Sequence, residues 1–341
     1  MQSVVLTGPR EFETVDRDRP SPAPGEVLVA VGACGVCMTD YHMYHGTLSV
    51  DYPVVPGHES AGEVVETGDG VGSVSPGDRV AINPSIPCYE CPACKRGRTT
   101  LCENFRGVGG AGEEILDGAF SEFVRVPARN VEPIGDLPYR IAAFAEPLAC
   151  AIHGSDRVEM ASGDTVVVVG AGPIGVLLVE TFRNRGAGEI VVSEPIASRR
   201  SLATDLGADH AVDPTAADSV PDRIGDLVGS VDLAVEAVGT AATVEQALEL
   251  TDSGGSTLVF GVPPEDATVE VSPFEVFYRE LTITGSFSLT AHAFERAVTL
   301  LANDRIAVEP LITSELSLDE IGVAFDRMER NEGLKKVIVP R

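Results

Sequence analysis

Lysine is almost missing from this chain. Of its 341 residues only Lys95, Lys335 and Lys336 are lysines, and all basic side chains together number 25 against 52 acidic ones, a formal charge of −27. A deficit this large, spread along the whole chain, removes the positive footprint that nucleic acid or an anionic membrane needs. Also lacking is any apolar run long enough to span a bilayer, and residues 1–15 have neither the basic start nor the apolar stretch of a secretory signal. There is no internal repeat and no low-complexity linker. These absences point to a soluble, cytoplasmic protein with a solvated acidic surface. The excess acid implies a high-salt cytoplasm, because at molar salt the Debye length falls to about 3 Å and self-repulsion is screened.

What is present starts with cysteine. Cys88, Cys91, Cys94 and Cys102 follow the order C-x2-C-x2-C-x7-C in a run rich in turn residues. Four thiolates at such spacing can turn back on one tetrahedral Zn²⁺ and leave no position open, the mark of a structural site; the alternative is four unpaired thiols or two disulfides, for which x2 neighbours are poorly placed.

Length and a hydrophobic content of 44% favour two domains. Residues 1–33 alternate short apolar runs with Pro and Gly, which predicts short antiparallel strands. Next come Cys34, Cys37, Thr39, Asp40 and His42, and then Gly57-His58-Glu59. A thiolate, an imidazole and carboxylates drawn from separate loops are the ligand types of a catalytic zinc that stays open to substrate. Glu146 follows the apolar stretch 141–145. It is either a metal-compensated buried acid or simply an acid in the first turn of a helix, beside the proline that opens it.

From residue 164 the pattern changes. The apolar run 165–169 enters Gly170-Ala171-Gly172-Pro173-Ile174-Gly175 and then a helical run to 185. Strand, G-x-G-x-x-G turn and helix in this order form a dinucleotide site: the glycines permit the tight turn and the pyrophosphate meets the helix N-terminus. Glu194 closes the next strand, nineteen residues past Gly175. A carboxylate there accepts both ribose hydroxyls of NAD and repels the 2′-phosphate of NADP; Arg199 and Arg200 are the side chains that could hold that phosphate instead. Further strands at 208–212, 231–238, 256–262 and 281–285, with helices near 198–206, 220–228 and 242–250 between them, make about six parallel strands of a doubly wound sheet. A helix at 293–301 and a strand at 335–339 close the chain, the strand rejoining the first domain.

Taken in order, Cys37-Met38-Thr39-Asp40-Tyr41-His42, Gly57-His58-Glu59, the knot at 88–102, Glu146-Pro147-Leu148 and the glycine turn resemble the zinc-dependent medium-chain alcohol dehydrogenases over nearly the whole chain. The acid before Pro-Leu and the Cys-x-Thr-Asp-x-His string are similar to the polyol, sugar and threonine dehydrogenases, whereas ethanol-type enzymes usually carry cysteine where Glu146 stands. The resemblance implies an α/β architecture: an irregular β-rich (GroES-like) catalytic domain at 1–148, with 289–341 returning to it, and a doubly wound Rossmann domain at 149–288. It makes Cys37 and His58 ligands of a second zinc, with Glu59 and Glu146 competing for the third place. Asp40 holds the His58 ring, Thr39 and His42 carry a proton to solvent, and Lys335 lies near the cofactor pyrophosphate. The implied reaction is NAD-linked oxidation of a secondary hydroxyl of a small polyol or sugar to the ketone, with NADP the lesser cofactor, in a homodimer or homotetramer. L-threonine 3-dehydrogenase and aldose dehydrogenase are the alternatives.

The charge reading is open to direct measurement. Raising KCl from about 0.1 M to multimolar concentration should raise the thermal midpoint and sharpen the transition; a midpoint that is flat or falls with salt would remove the case for a high-salt protein.

Overall fold

At the end of the strand Glu26–Gly35 a glycine faces a glutamate across the sheet. In the computed structural model, which describes residues 1–110 and 112–340, the chain divides into two compact units, Met1–Ala149 with the segment from Ser288 onward, and Cys150–Phe287. In the first unit the long strand Glu26–Gly35 lies inside a seven-stranded sheet whose order runs Val131–Pro133, Arg79–Ile82, Glu59–Thr67, Glu26–Gly35, Lys335–Ile338, Ile312–Leu316. Phe123–Pro127 also pairs with Glu26–Gly35. Val27, Val29 and Val31 alternate along that strand and pack with Val64, Val80, Ile82, Val124 and Val126 in one buried cluster. Each such side chain contributes about 1.5–3 kcal/mol by leaving water. At the strand's end Gly35 sits opposite Glu59 on one side and Val337 on the other. Three segments distant in sequence therefore meet at one point of one sheet.

Just beyond Gly35 the chain turns into the helix Met38–His45. Cys37 precedes it in extended conformation, and Asp40 reaches back to accept the Cys37 N–H at 2.8 Å. This capping bond satisfies a donor that the first turn leaves open. Gly46, at φ +72°, ends the helix in the left-handed conformation that glycine adopts without strain.

In the second unit all six strands are parallel, in the order His210–Val212, Glu189–Ser193, Thr165–Val169, Leu233–Glu236, Ser256–Val259, Thr282–Gly285. Val166, Val167, Val168, Ile190, Val191, Val192, Leu233, Ala234 and Val235 are buried, as continuous apolar strands covered on both faces should be. The strand order reverses between Thr165–Val169 and Leu233–Glu236, where doubly wound sheets bind ligands. The strand expected over 231–238 stops at Glu236, because the chain peels off there into a loop held by that side chain. A helix at Pro273–Tyr278 had no apolar period to announce it, since Phe274, Phe277 and Tyr278 are exposed. No helix among the described residues is long and apolar enough to cross a membrane.

Candidate metal and cofactor sites

The four knot cysteines bring their sulfurs within 4.8 Å of one another. Backbone N–H groups are aimed at them: Glu90 and Cys91 donate to Cys88 Sγ at 3.4 and 3.3 Å, Cys94 to Cys91 Sγ at 3.5 Å, and Cys88 and Asn104 to Cys102 Sγ at 3.2 and 3.4 Å. Donors of that kind stabilise thiolates. The Glu90 and Cys91 N–H groups pull the Cys88 thiol down to about 6, whereas burial and the neighbouring sulfurs of Cys91 and Cys102 push Cys94 up to about 12. Four crowded sulfurs cannot all ionise without a cation among them, so the donor set and its N–H cradle fit a closed, structural zinc.

A second convergence lies at the end of the first unit's central strand. Cys37, His58 and Glu59 bring one ligand atom each within 4.8 Å of one another, and His58 and Glu59 are buried. One thiolate, one imidazole and one carboxylate, with no fourth donor in the group among the described residues, fit a zinc that keeps a position open. Asp40, wholly buried, ties the ligand loops together: one oxygen accepts the Cys37 N–H, the other accepts the Gly57 N–H at 3.1 Å and stands 3.4 Å from His58 Nδ1. With Nδ1 also 3.3 Å from the Gly109 carbonyl, Nε2 is the nitrogen left for a metal. Burial alone would lower the His58 imidazole, but the Asp40 carboxylate and the Cys37 thiolate outweigh it and hold the ring well above its usual range. A ligand imidazole must be neutral, so metal uptake here releases that proton and weakens as pH falls.

Glu59 also has a cation of its own. Lys335 Nζ lies 2.7 and 2.6 Å from its two carboxylate oxygens, with both side chains buried, and donates as well to the Val36 carbonyl at 3.4 Å. Burial disfavours the ammonium, but Glu59, then Cys37 and Glu146, raise it above the usual lysine range. The structure thus sets Lys335, expected near a pyrophosphate, on Glu59. Gly35 makes the room: a Cβ there would stand 2.0 Å from Glu59 Oε2. Sequence reasoning missed Gly35, since only the strand register reveals its neighbour. Glu146 is in the first turn of Ala145–Ser155 and acts electrostatically on Lys335, outside the close trio. Thr39 Oγ1 lies 3.7 Å from Cys37 Sγ. His42 Nδ1 is 2.8 Å from Thr47 Oγ1, and partial burial, then His45, lowers its proton affinity.

In the second unit the glycine turn has the form its spacing predicts. Gly170 has φ +100°, and a Cβ on Gly175 would meet the Gly170 carbonyl at 2.0 Å, so both positions require glycine. Gly172 caps the helix Pro173–Arg185, whose first turn holds Pro173, Ile174 and Gly175. Glu194 Oε2 accepts the Ala171 N–H at 2.8 Å and Oε1 the Ile196 N–H at 2.9 Å, which fixes the carboxylate against the turn. Arg200 donates to the Glu194 and Pro195 carbonyls at 2.7 Å and pairs with Asp213 at 3.1 Å; Arg199 precedes it on the helix Ala197–Asp205.

Residues 23–136 match the alcohol dehydrogenase GroES-like domain and residues 173–303 match the zinc-binding dehydrogenase family. D-arabinitol dehydrogenase 1 of Uromyces fabae is 33% identical over 100% of this chain and 97% of its own length. The chain belongs to the zinc-binding dehydrogenase family. D-altritol 5-dehydrogenase of Agrobacterium fabrum is 35% identical over 92% of each chain. The crystal structure of a zinc-binding dehydrogenase of Sinorhizobium meliloti bound to NADP superposes with TM-score 0.93, at 36% identity over 99% of each chain. In this zinc-binding dehydrogenase, as in its relatives, a β-rich catalytic unit accompanies a parallel-sheet Rossmann unit.

The buried ion pair can be tested apart from catalysis. Lys335→Met leaves the Glu59 carboxylate buried without its cation, and breaking such a pair costs about 3–5 kcal/mol. Urea denaturation should show that loss, with Lys335→Arg recovering part of it; a Met variant as stable as wild type would mean that water or a cation already satisfies Glu59.

Proposed function

We propose that the chain oxidises a secondary hydroxyl of a small polyol or sugar to the ketone, with NAD as acceptor, and runs the reverse reaction. The observation that carries this reading is the Cys37–His58–Glu59 trio, with His58 and Glu59 buried, in a chain that aligns over at least 92% of its length with D-arabinitol and D-altritol dehydrogenases. Zinc held by Cys37, His58 and Glu59 would supply Lewis acidity to the substrate hydroxyl, and NAD the hydride acceptor. Thr39, whose Oγ1 lies 3.7 Å from Cys37 Sγ, would take the hydroxyl proton, because its Oγ both accepts and donates. His42, with its lowered proton affinity and Nδ1 engaged by Thr47, receives that proton at Nε2 and passes it to solvent. Oxidation therefore loses rate as pH falls through the His42 pKa, below the usual histidine range.

Glu194 favours NAD, since its fixed carboxylate accepts ribose hydroxyls and repels a 2′-phosphate. Arg200 is already held by Asp213 and two carbonyls, which weakens the case for a phosphate clamp, with Arg199 as the remaining candidate. The Lys335 ammonium that holds Glu59 tunes how strongly that carboxylate donates, and Glu146 balances the ammonium. The acidic composition and the knot cysteines, none of which is in a disulfide, support a reduced, salt-rich cytoplasm as the working medium.

Zinc analysis joined to a substrate panel tests the reading. Wild type should hold two zinc ions, one resistant to chelators, and reduce NAD with polyols in multimolar KCl in preference to threonine or aldoses. Glu59→Gln should lose the labile zinc, Glu146→Gln should lose about 10- to 100-fold in metal affinity or activity, and both should keep the knot zinc. Full activity with one zinc or none, or threonine as the preferred substrate, would overturn it.

The second unit also supports a homodimer, either alone or as half of a homotetramer. Val262, Phe274, Phe277 and Tyr278 are more than three-fifths exposed, and the edge strand Thr282–Gly285 carries exposed Ile283. Such an edge is unpaired on one side, and a second copy related by a two-fold axis can satisfy it with the same residues on each partner. Light scattering should give at least twice 35.8 kDa for wild type, and Phe277→Glu with Ile283→Lys should give the monomer. A monomeric wild type at micromolar concentration would falsify this surface.

A further inference from the structure

Glu236 is a buried acid that neither the glycine fingerprint nor either metal site uses. It ends the strand Leu233–Glu236, beside Val169 on one side and Val259 on the other, at the point where the sheet order reverses. The residue is wholly buried. Oε1 accepts three hydrogen bonds, from Val238 N–H at 2.7 Å, Gly239 N–H at 2.6 Å and Thr243 Oγ1 at 2.8 Å. Oε2 is buried with no hydrogen-bond partner among the described residues. A carboxylate placed so unevenly is expensive to bury, and three donors on one oxygen are what offset it.

Two of those donors sit on the loop between the strand and the helix Ala241–Leu250, and Thr243 is in the first turn of that helix. The loop's half-exposed Val238 turns its Cγ2 toward the glycine turn, to within 2.7 Å of where a Cβ on Gly170 would stand. Gly239, at φ +91°, needs its left-handed conformation to bring its N–H onto the carboxylate. On the far side, the main-chain carbonyl of Glu236 accepts the Phe260 and Gly261 N–H groups at 3.0 Å. A Cβ on Gly261 would meet Oε2 at 2.7 Å and Gly239 N at 2.3 Å, so glycine there makes room for both. One residue thus fastens two crest loops of the sheet and sets Val238 against the glycine turn. Glu194 holds the same turn from the neighbouring strand, through the Ala171 N–H.

We propose that Glu236 is a positioning residue for the dinucleotide: it holds the loop 237–240 so that Val238 braces the glycine turn in its binding shape. The proposal rests on the dinucleotide reading of this unit, and it assigns Glu236 no contact with the cofactor. Cofactor affinity, rather than turnover, is what it controls.

Titration of NADH by fluorescence on the intact, zinc-loaded protein, with kcat at saturating cofactor and a thermal midpoint, tests it. Glu236→Ala should weaken NADH about tenfold or more, as expected for hydrogen bonds lost from a charged acceptor, with kcat within about twofold of wild type. Glu236→Gln, which keeps an oxygen for the three donors, should stay within about threefold. Val238→Ala leaves those hydrogen bonds in place and alters only a half-exposed side chain, so it should fold normally and weaken NADH about three- to fivefold. If Glu236→Ala does not fold, Val238→Ala and the glutamine variant decide alone. NADH affinity unchanged in Val238→Ala, or kcat and affinity falling together in Glu236→Gln, would overturn the proposal. Wild type that binds no NADH would instead refute the dinucleotide reading itself.

Discussion

The first unit depends on a charge arrangement that a protein interior tolerates only when it is complete. Lys335 and Glu59 are both buried and meet at 2.6 Å, within electrostatic reach of Cys37 and Glu146. Neither charge would be stable there alone, since desolvation costs several kcal/mol per ion before pairing. The pair is made possible by the sheet: Gly35 between Glu59 and the returning C-terminal strand removes the side chain that would fill the space. The terminal segment is therefore part of the site, although it lies nearly three hundred residues away from Val36, whose carbonyl Lys335 also reaches.

Both clusters of metal-binding side chains carry cysteine sulfur, and each solves the same electrostatic problem by a different route. At the knot, backbone N–H groups aimed at sulfur stabilise the anions locally, and the loop that bears the cysteines supplies most of them. At the trio, a side chain does that work: Asp40 accepts from the two ligand-bearing loops and faces the imidazole, so one carboxylate sets the spacing of Cys37 and His58. The first arrangement is closed and local. The second is assembled from segments distant in the chain and brings three donor atoms together among the described residues, the number that suits a metal which also meets a reacting hydroxyl.

The acidic composition bears on all of this through screening. Surface carboxylates lose their mutual repulsion within about 3 Å at molar salt, whereas the buried Lys335–Glu59 pair and the Asp40 network are hardly screened. Salt can therefore change the stability of the surface without disturbing the electrostatics of the site. In the second unit two buried acids at strand ends, Glu194 and Glu236, receive main-chain N–H groups and shape the loops instead of repelling one another.

Much of the architecture was legible without coordinates, because its signals are local. Continuous apolar runs predict buried parallel strands, the glycine spacing predicts the turn, and C-x2-C-x2-C predicts sulfurs on one centre; all three depend on residues close together in the chain. The helix Pro273–Tyr278 escaped because its large side chains face outward and leave no buried period. The sequence by itself determined the two-domain family, the close spacing of the four knot cysteines and the glycine turn, and it supplied metal-binding side-chain types at Cys37, His58 and Glu59. Only the tertiary structure decided that Lys335 neutralises Glu59, that Gly35 makes room for it, that Glu146 stands outside the close trio, and that Glu236 fastens the loops around the glycine turn. Each of these depends on strand register or on a side chain crossing between distant segments, and no local pattern encodes which segments a sheet will bring together.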